Sequence, residues 1–144
     1  MKIIKDKFFI SPSDLNNFVA CKYTIKNEIK FLNKEITKNT DRVNDKLWKE
    51  MGIKHEKKHH KILKSKFKKN IEIKSAKDEQ TRFDETVAAM QKGYDLIYHA
   101  YLIDENFRGE ADFLIKTNTP SDLGDYSYEV YDTKITRNIR PRHI

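Results

Sequence analysis

Arg108-Gly109-Glu110-Ala111-Asp112-Phe113-Leu114-Ile115-Lys116 and, after a loop, Tyr126-Ser127-Tyr128-Glu129-Val130-Tyr131-Asp132-Thr133-Lys134-Ile135 are the stretches that decide the fold. Both are strand-like. The connection between them, Asn118-Thr119-Pro120-Ser121-Asp122-Leu123-Gly124, is rich in turn formers, so together they predict a β-hairpin. A hairpin centred near Asp122 sets Asp112 opposite Asp132. Side chains alternate faces along a strand, so Asp132 and Lys134 share a face that Asp112 can join, and Glu129 turns away.

Working outward, Leu96 to Ile103 is almost continuously apolar and aromatic, which fits a strand buried on both faces, and Asp104-Glu105-Asn106 turns the chain towards Arg108. Before it, Thr81 to about Gln91 reads as a helix with Phe83, Val87 and Met90 on one side and Gly93 at its end. Ile71-Glu72-Ile73 reads as a short strand. The N-terminal part is helical. Ser11-Pro12-Ser13-Asp14 opens a helix whose apolar residues Leu15, Phe18, Val19, Ile25, Ile29 and Leu32 recur to its end. A second helix runs from about Asp41 to Phe67 on the stripe Leu47, Trp48, Met51, Ile62, Leu63 and Phe67. Helices followed by adjacent strands predict an α/β (α+β) domain with a mixed sheet flanked by helices. Residues 1–69 form its mainly helical, basic part and 70–144 its sheet-bearing part.

At 144 residues the chain suits a single domain, and with 35% charged residues it should be soluble. The sequence has no apolar run of membrane-spanning length, its first residues lack the apolar core expected of a signal peptide, and the single cysteine, Cys21, fits a reducing cytoplasm. Charge is unevenly placed. Residues 1–69 carry +11 and residues 70–144 carry −4, together the +7 of the whole chain. Lysines crowd the second helix, and Lys57, Lys58, Lys61 and Lys64 are its candidate nucleic-acid contacts. The plainer alternative is a solvated lysine-rich helix. An acidic half suits a nucleic-acid binder only if something neutralises it, and a bound divalent cation would.

Two carboxylates side by side among Phe113, Leu114, Val130 and Tyr131 repel each other and are poorly solvated. A cation between them relieves that cost, and oxygen ligands favour Mg²⁺ or Mn²⁺. Lys134 would then orient an attacking water and stabilise charge on a phosphate. Against this stands an exposed hairpin in which Asp132 and Lys134 form only a surface ion pair.

Gly109-Glu110-Ala111-Asp112 and Asp132-Thr133-Lys134 resemble the G-x-x-D and D-x-K motifs of RecB-like nucleases in the PD-(D/E)XK, or restriction-endonuclease-like, superfamily. The similarity extends to Ser11-Pro12-Ser13-Asp14-Leu15, Cys21, Gly52 with His55-Glu56, Thr86 to Met90 with Gly93, and Pro120 to Gly124. It covers most of the chain and is closest to the predicted RecB-family nucleases often joined to helicase modules. The resemblance implies a restriction-endonuclease-like core and hydrolysis of DNA phosphodiesters. It also implies Asp112, Asp132 and Lys134 as catalytic residues, and Mg²⁺ or Mn²⁺ held by His55, Asp112, Asp132 and the Thr133 carbonyl. Glu56 resembles an accessory position. Such nucleases carry a Q-x-x-x-Y helix after the D-x-K strand, which this sequence lacks, so a partial domain is expected, partnered by a helicase module or by its missing part. Relatives with an iron–sulfur cluster use four cysteines; Cys21 alone cannot hold one.

Two other readings remain. His55-Glu56-Lys57-Lys58-His59 matches the H-E-x-x-H pattern of zinc proteases, though two lysines sit between the histidines. A non-catalytic nucleic-acid binder, or a decayed remnant of a nuclease, is the nearer rival.

Overall fold

The computed structural model describes residues 1–4, 7–37, 43–74 and 76–136. The chain forms two compact units. Of the described residues, the first takes those up to Val43 together with Ile103–Gly109, and the second takes Asn44–Leu102 with residues 110–136.

The first unit opens on a hairpin that periodicity did not suggest, β1 (Lys2–Ile4) paired antiparallel with β2 (Lys7–Phe9). Helix α1 (Pro12–Ala20) starts where the cap signature places it. Asp14, buried in its first turn, accepts from the Ser11 backbone N–H at 2.8 Å and hydroxyl at 2.6 Å, and pairs with the Met1 ammonium at 2.6 Å. The single long helix expected from Ser11 to Leu32 is two. Extended backbone at Cys21 (φ −162°, ψ 114°) separates α1 from α2 (Lys22–Leu32). The apolar period runs straight through that break, because a period read from residues on either side is blind to one extended residue between them. Gly109 lies against the Pro12 ring, where a Cβ would come within 2.9 Å of Pro12 Cδ, and the Arg108 guanidinium covers the Phe9 ring at 3.8 Å.

The second unit is built on a four-stranded sheet of order β3-β4-β5-β6. Strands β3 (Asn70–Glu72) and β4 (Leu96–Asp104) are parallel, and helix α4 (Glu79–Gln91) crosses between them. Asp78 caps α4 by accepting from the Thr81 N–H, and Gly93 (φ +64°) follows its end. Strand β5 (Phe107–Thr117) follows a two-residue turn, and β6 (Ser127–Tyr131) returns antiparallel to it. The expected mixed sheet is therefore present, with β6 ending earlier than Ile135. On one face Ile97, Ala100, Ala111 and Leu114 pack with Ala89 and Met90 of α4. On the other, Leu96, Tyr98, Phe113 and Ile115 pack with Leu63 and Phe67, in and just after helix α3 (Val43–Lys66).

Helix α3 follows the expected span from Val43, the expected start near Asp41 lying outside the described residues. Leu63 and Phe67 of the expected stripe face the sheet, but the rest of the stripe does not. Trp48, Met51 and Ile62 are 60%, 41% and 44% exposed, and Leu47 is exposed too. The shielded positions are Gly52, Glu56, His60 and Leu63, with Phe67 beyond the helix end. Two of them carry polar groups, which an apolar period assigns to solvent.

Candidate functional site

The β5–β6 register pairs Phe113 with Tyr131 and Leu114 with Val130. One further step brings Asp112 opposite Asp132. There β6 ends and the chain turns in, so that Thr133 donates to Asp112 Oδ2 from its backbone N–H at 2.8 Å and from its hydroxyl at 3.0 Å. Asp132 forms an ion pair with Lys134, both side chains about half exposed. Burial holds the Asp112 carboxyl above the usual carboxylate range, and Asp132, as hydrogen-bond partner and as charge, pushes the same way against the opposing Thr133 bonds. The site therefore joins a shielded carboxylate that resists ionisation, an open carboxylate and an ammonium.

A second set of groups faces α3. Glu56 Oε1 accepts from the Tyr98 hydroxyl at 2.6 Å and lies 2.6 Å from His99 Nε2. The Tyr98 hydroxyl is strongly raised, by burial first and then by the Glu56 hydrogen bond, with Asp112 adding a smaller share. His60 stacks on the Tyr98 ring at 3.8 Å, and burial lowers its affinity for a proton. Glu110 pairs with the buried Arg82, and its other oxygen is 4.0 Å from His99 Nε2.

These groups meet because side-chain alternation slips at one level of the sheet. Leu96 and Tyr98 face α3 while Ile97 and Ala100 face α4, so β4 changes phase at His99, where φ is +57°. On β5, Phe113 and Ile115 face α3 while Ala111 and Leu114 face α4, so the phase changes at Asp112. The β4–β5 pair runs from the Glu105-Asn106 turn to a bond from Lys116 N–H to the Asp95 carbonyl at 3.0 Å. Counting from either end sets His99 opposite Asp112. Left-handed backbone on a histidine is uncommon, and it persists where neighbours hold it, here Glu56 and the Tyr98 ring at 3.8 Å.

Of the residues singled out from sequence, Asp112, Asp132, Thr133 and Lys134 come together. His55 is exposed on α3, its ring 6.4 Å from that of His59. Among the described residues no three His, Cys, Asp or Glu side chains gather as a cation site, so His55 is not brought to the two aspartates. Its expected inward position rested on Met51 and Ile62, which the structure leaves exposed. Glu56 faces the sheet instead, engaged by Tyr98 and His99, which leaves the H-E-x-x-H pattern with its glutamate already bonded. Lys57, Lys58, Lys61 and Lys64 are all exposed along α3. Cys21 is exposed between α1 and α2. Sequence reasoning passed over Tyr98, His99, Arg82 and Glu110; the one available signal was an imidazole inside the apolar run from Leu96 to Ile103.

No family model, curated protein or solved structure matches this chain. Among the described residues, no helix is long and apolar enough to cross a membrane.

Proposed function

We propose that this chain is a metal-dependent DNA nuclease of the RecB-like, PD-(D/E)XK type, with Asp112, Asp132 and Lys134 as its working residues. The observation that carries the proposal is the end of the β5–β6 hairpin, where Asp112 faces Asp132, Thr133 fixes Asp112, and Lys134 pairs with Asp132. The mixed sheet, with a helix packed on each face, is compatible with the finer expectation of a restriction-endonuclease-like core.

The two carboxylates fit a hard divalent ion that keeps much of its water, held by Asp112 and Asp132 with the Thr133 carbonyl as the further ligand the sequence resemblance suggests. The burial and like charge that raise Asp112 are what a cation between the pair would offset. When bound, Mg²⁺ or Mn²⁺ would acidify a water and neutralise charge on the phosphate. The protein's own groups do the rest. Thr133, through its N–H and hydroxyl, fixes the Asp112 carboxylate so that it need not reorganise during the reaction. Lys134 orients the attacking water and stabilises the phosphate oxygens once Asp132 is engaged elsewhere. The exposed lysines of α3 bind the DNA backbone. A helicase-type module is the partner that the sequence resemblance suggests.

Cleavage of labelled single- and double-stranded DNA with Mn²⁺, Mg²⁺ or EDTA tests this, comparing the chain with Asp132→Ala. Metal-dependent cutting that falls at least a hundredfold in the variant is expected, on the order of the loss when a transition-state stabilising group is removed. Folded protein that binds DNA but cuts nothing under any metal would instead support the non-catalytic alternative.

A further inference from the structure

We propose that the outward face of α3 is a stacking track for unpaired nucleic-acid bases, with Trp48 as its anchor. The inward face of the helix is used by the sheet, through Glu56, His60 and Leu63. What remains outside is unusual in two respects. Trp48 is 60% exposed, with Met51 beside it at 41%. Further along, His55 and His59 present exposed rings 6.4 Å apart and inclined by only 24°. Both histidines are exposed side chains, although the His59 ring also meets the Phe113 ring of the sheet.

The charge around the rings selects the occupant. From Lys46 to Lys66 the helix carries eight lysines against two glutamates, and one of these, Glu56, is turned inward and bonded to Tyr98 and His99. Outside, Glu50 is alone among the lysines. A partner must therefore be a polyanion that also offers flat apolar faces, and a nucleic-acid strand with unpaired bases has both. A duplex hides its base faces and would engage the lysines only. An acidic membrane surface is the less suitable occupant: a helix lying in a bilayer needs a broad continuous apolar face, and on α3 the stripe of Trp48 and Met51 continues into the polar rings of His55 and His59.

The track leads to the candidate site. The His59 ring is 6.1 Å from that of Phe113, the neighbour of Asp112 in β5. A strand stacked along α3 would thus run towards the two carboxylates. The inference rests on the nucleic-acid partner proposed above, but not on catalysis.

Trp48 is the single tryptophan of the chain, so its emission reports directly on the track. Titration of the full chain in EDTA, where metal-dependent cutting cannot occur, would use an oligothymidylate, a duplex of equal length, and vesicles containing phosphatidylserine. Saturable quenching by the single strand is expected. With labelled oligonucleotides, Trp48→Ala should weaken single-strand binding about tenfold while leaving duplex binding within about twofold, as loss of one stacked base implies. Its exposed position leaves the fold intact, which circular dichroism checks. Equal weakening on both nucleic acids, unchanged single-strand binding, or vesicles outcompeting the single strand would overturn the track. Metal-dependent cutting without quenching would remove the track alone; quenching without cutting would remove only the catalytic proposal.

Discussion

Glu56→Ala should destabilise the second unit far more than an ordinary helix-surface change. The carboxylate sits on the sheet-facing side of α3, where one oxygen serves two groups at 2.6 Å, the Tyr98 hydroxyl and His99 Nε2. A hydrogen bond to a charged group contributes about 1.5–3 kcal/mol, and a buried donor left unpaired loses much of that. Tyr98 is only 3% exposed and feels that loss nearly in full. The His99 side chain is 22% exposed, so water replaces part of its bond and its share falls to about 0.5–1.5 kcal/mol. The sum is about 2–4 kcal/mol, or on the order of 10 °C in Tm for a chain of this length. Glu56→Gln keeps an acceptor oxygen in place and should cost about 1 kcal/mol. Denaturant unfolding followed by circular dichroism gives the free energies. A double-mutant cycle with Tyr98→Phe isolates the bond itself, with an expected coupling of about 1–2 kcal/mol. Glu56→Ala within ~0.5 kcal/mol of the wild type, or effects that simply add in the cycle, would refute the argument. Either result would return Glu56 to the solvent face that helical periodicity gives it.

Asp112→Asn tests the shielded carboxylate by its pH dependence. Burial, reinforced by Asp132, raises Asp112 in the folded state, so the stability it contributes is present below its unfolded pKa and lost as pH rises through the folded value. The asparagine escapes that loss, so its stability relative to wild type should improve between about pH 3 and pH 7, measured by urea midpoints; a growing deficit would contradict the assignment. Gly109→Ala would place a Cβ 2.9 Å from Pro12 Cδ and 3.2 Å from Cγ, atoms of a rigid ring. A cost of about 1–3 kcal/mol is expected from such overpacking. Gly52→Ala, with nothing within 4 Å of the new methyl, should instead stabilise α3 by up to about 1 kcal/mol, and thermal melts of the two variants should move in opposite directions.

Most of the architecture was legible because local chemistry and tertiary context agree. Ser11-Pro12 starts α1, Gly93 follows α4, and the turn formers after Asn118 join β5 to β6 in the register that opposes Asp112 and Asp132. Two elements were not legible. The β1–β2 hairpin uses strands of three residues each, too short for any period to register. The break at Cys21 involves one extended residue, and the apolar spacing on either side continues as though the helix were whole.

The site was half legible, and the missing half has a single physical origin. Alternation along a strand predicts that Asp112 and its neighbours keep to fixed faces, and it holds from Ile115 back to Phe113 and from Leu96 to Tyr98. It fails at His99 and Asp112, which lie opposite each other, so the two slips cancel in register while redirecting both side chains. No spacing rule sees a paired slip, because the hydrophobic pattern beyond it simply resumes. The same event explains the inward face of α3. Once Tyr98 and His99 both present polar atoms to the helix, the side that answers them must carry an acceptor and a ring, and Glu56 and His60 meet that need better than Met51 and Ile62. With those residues inward, Leu47, Trp48, Met51 and Ile62 of the expected stripe are left exposed, while Leu63 and Phe67 stay packed on the sheet. The outward ring track and the inward polar cluster are two consequences of one change of phase in the sheet.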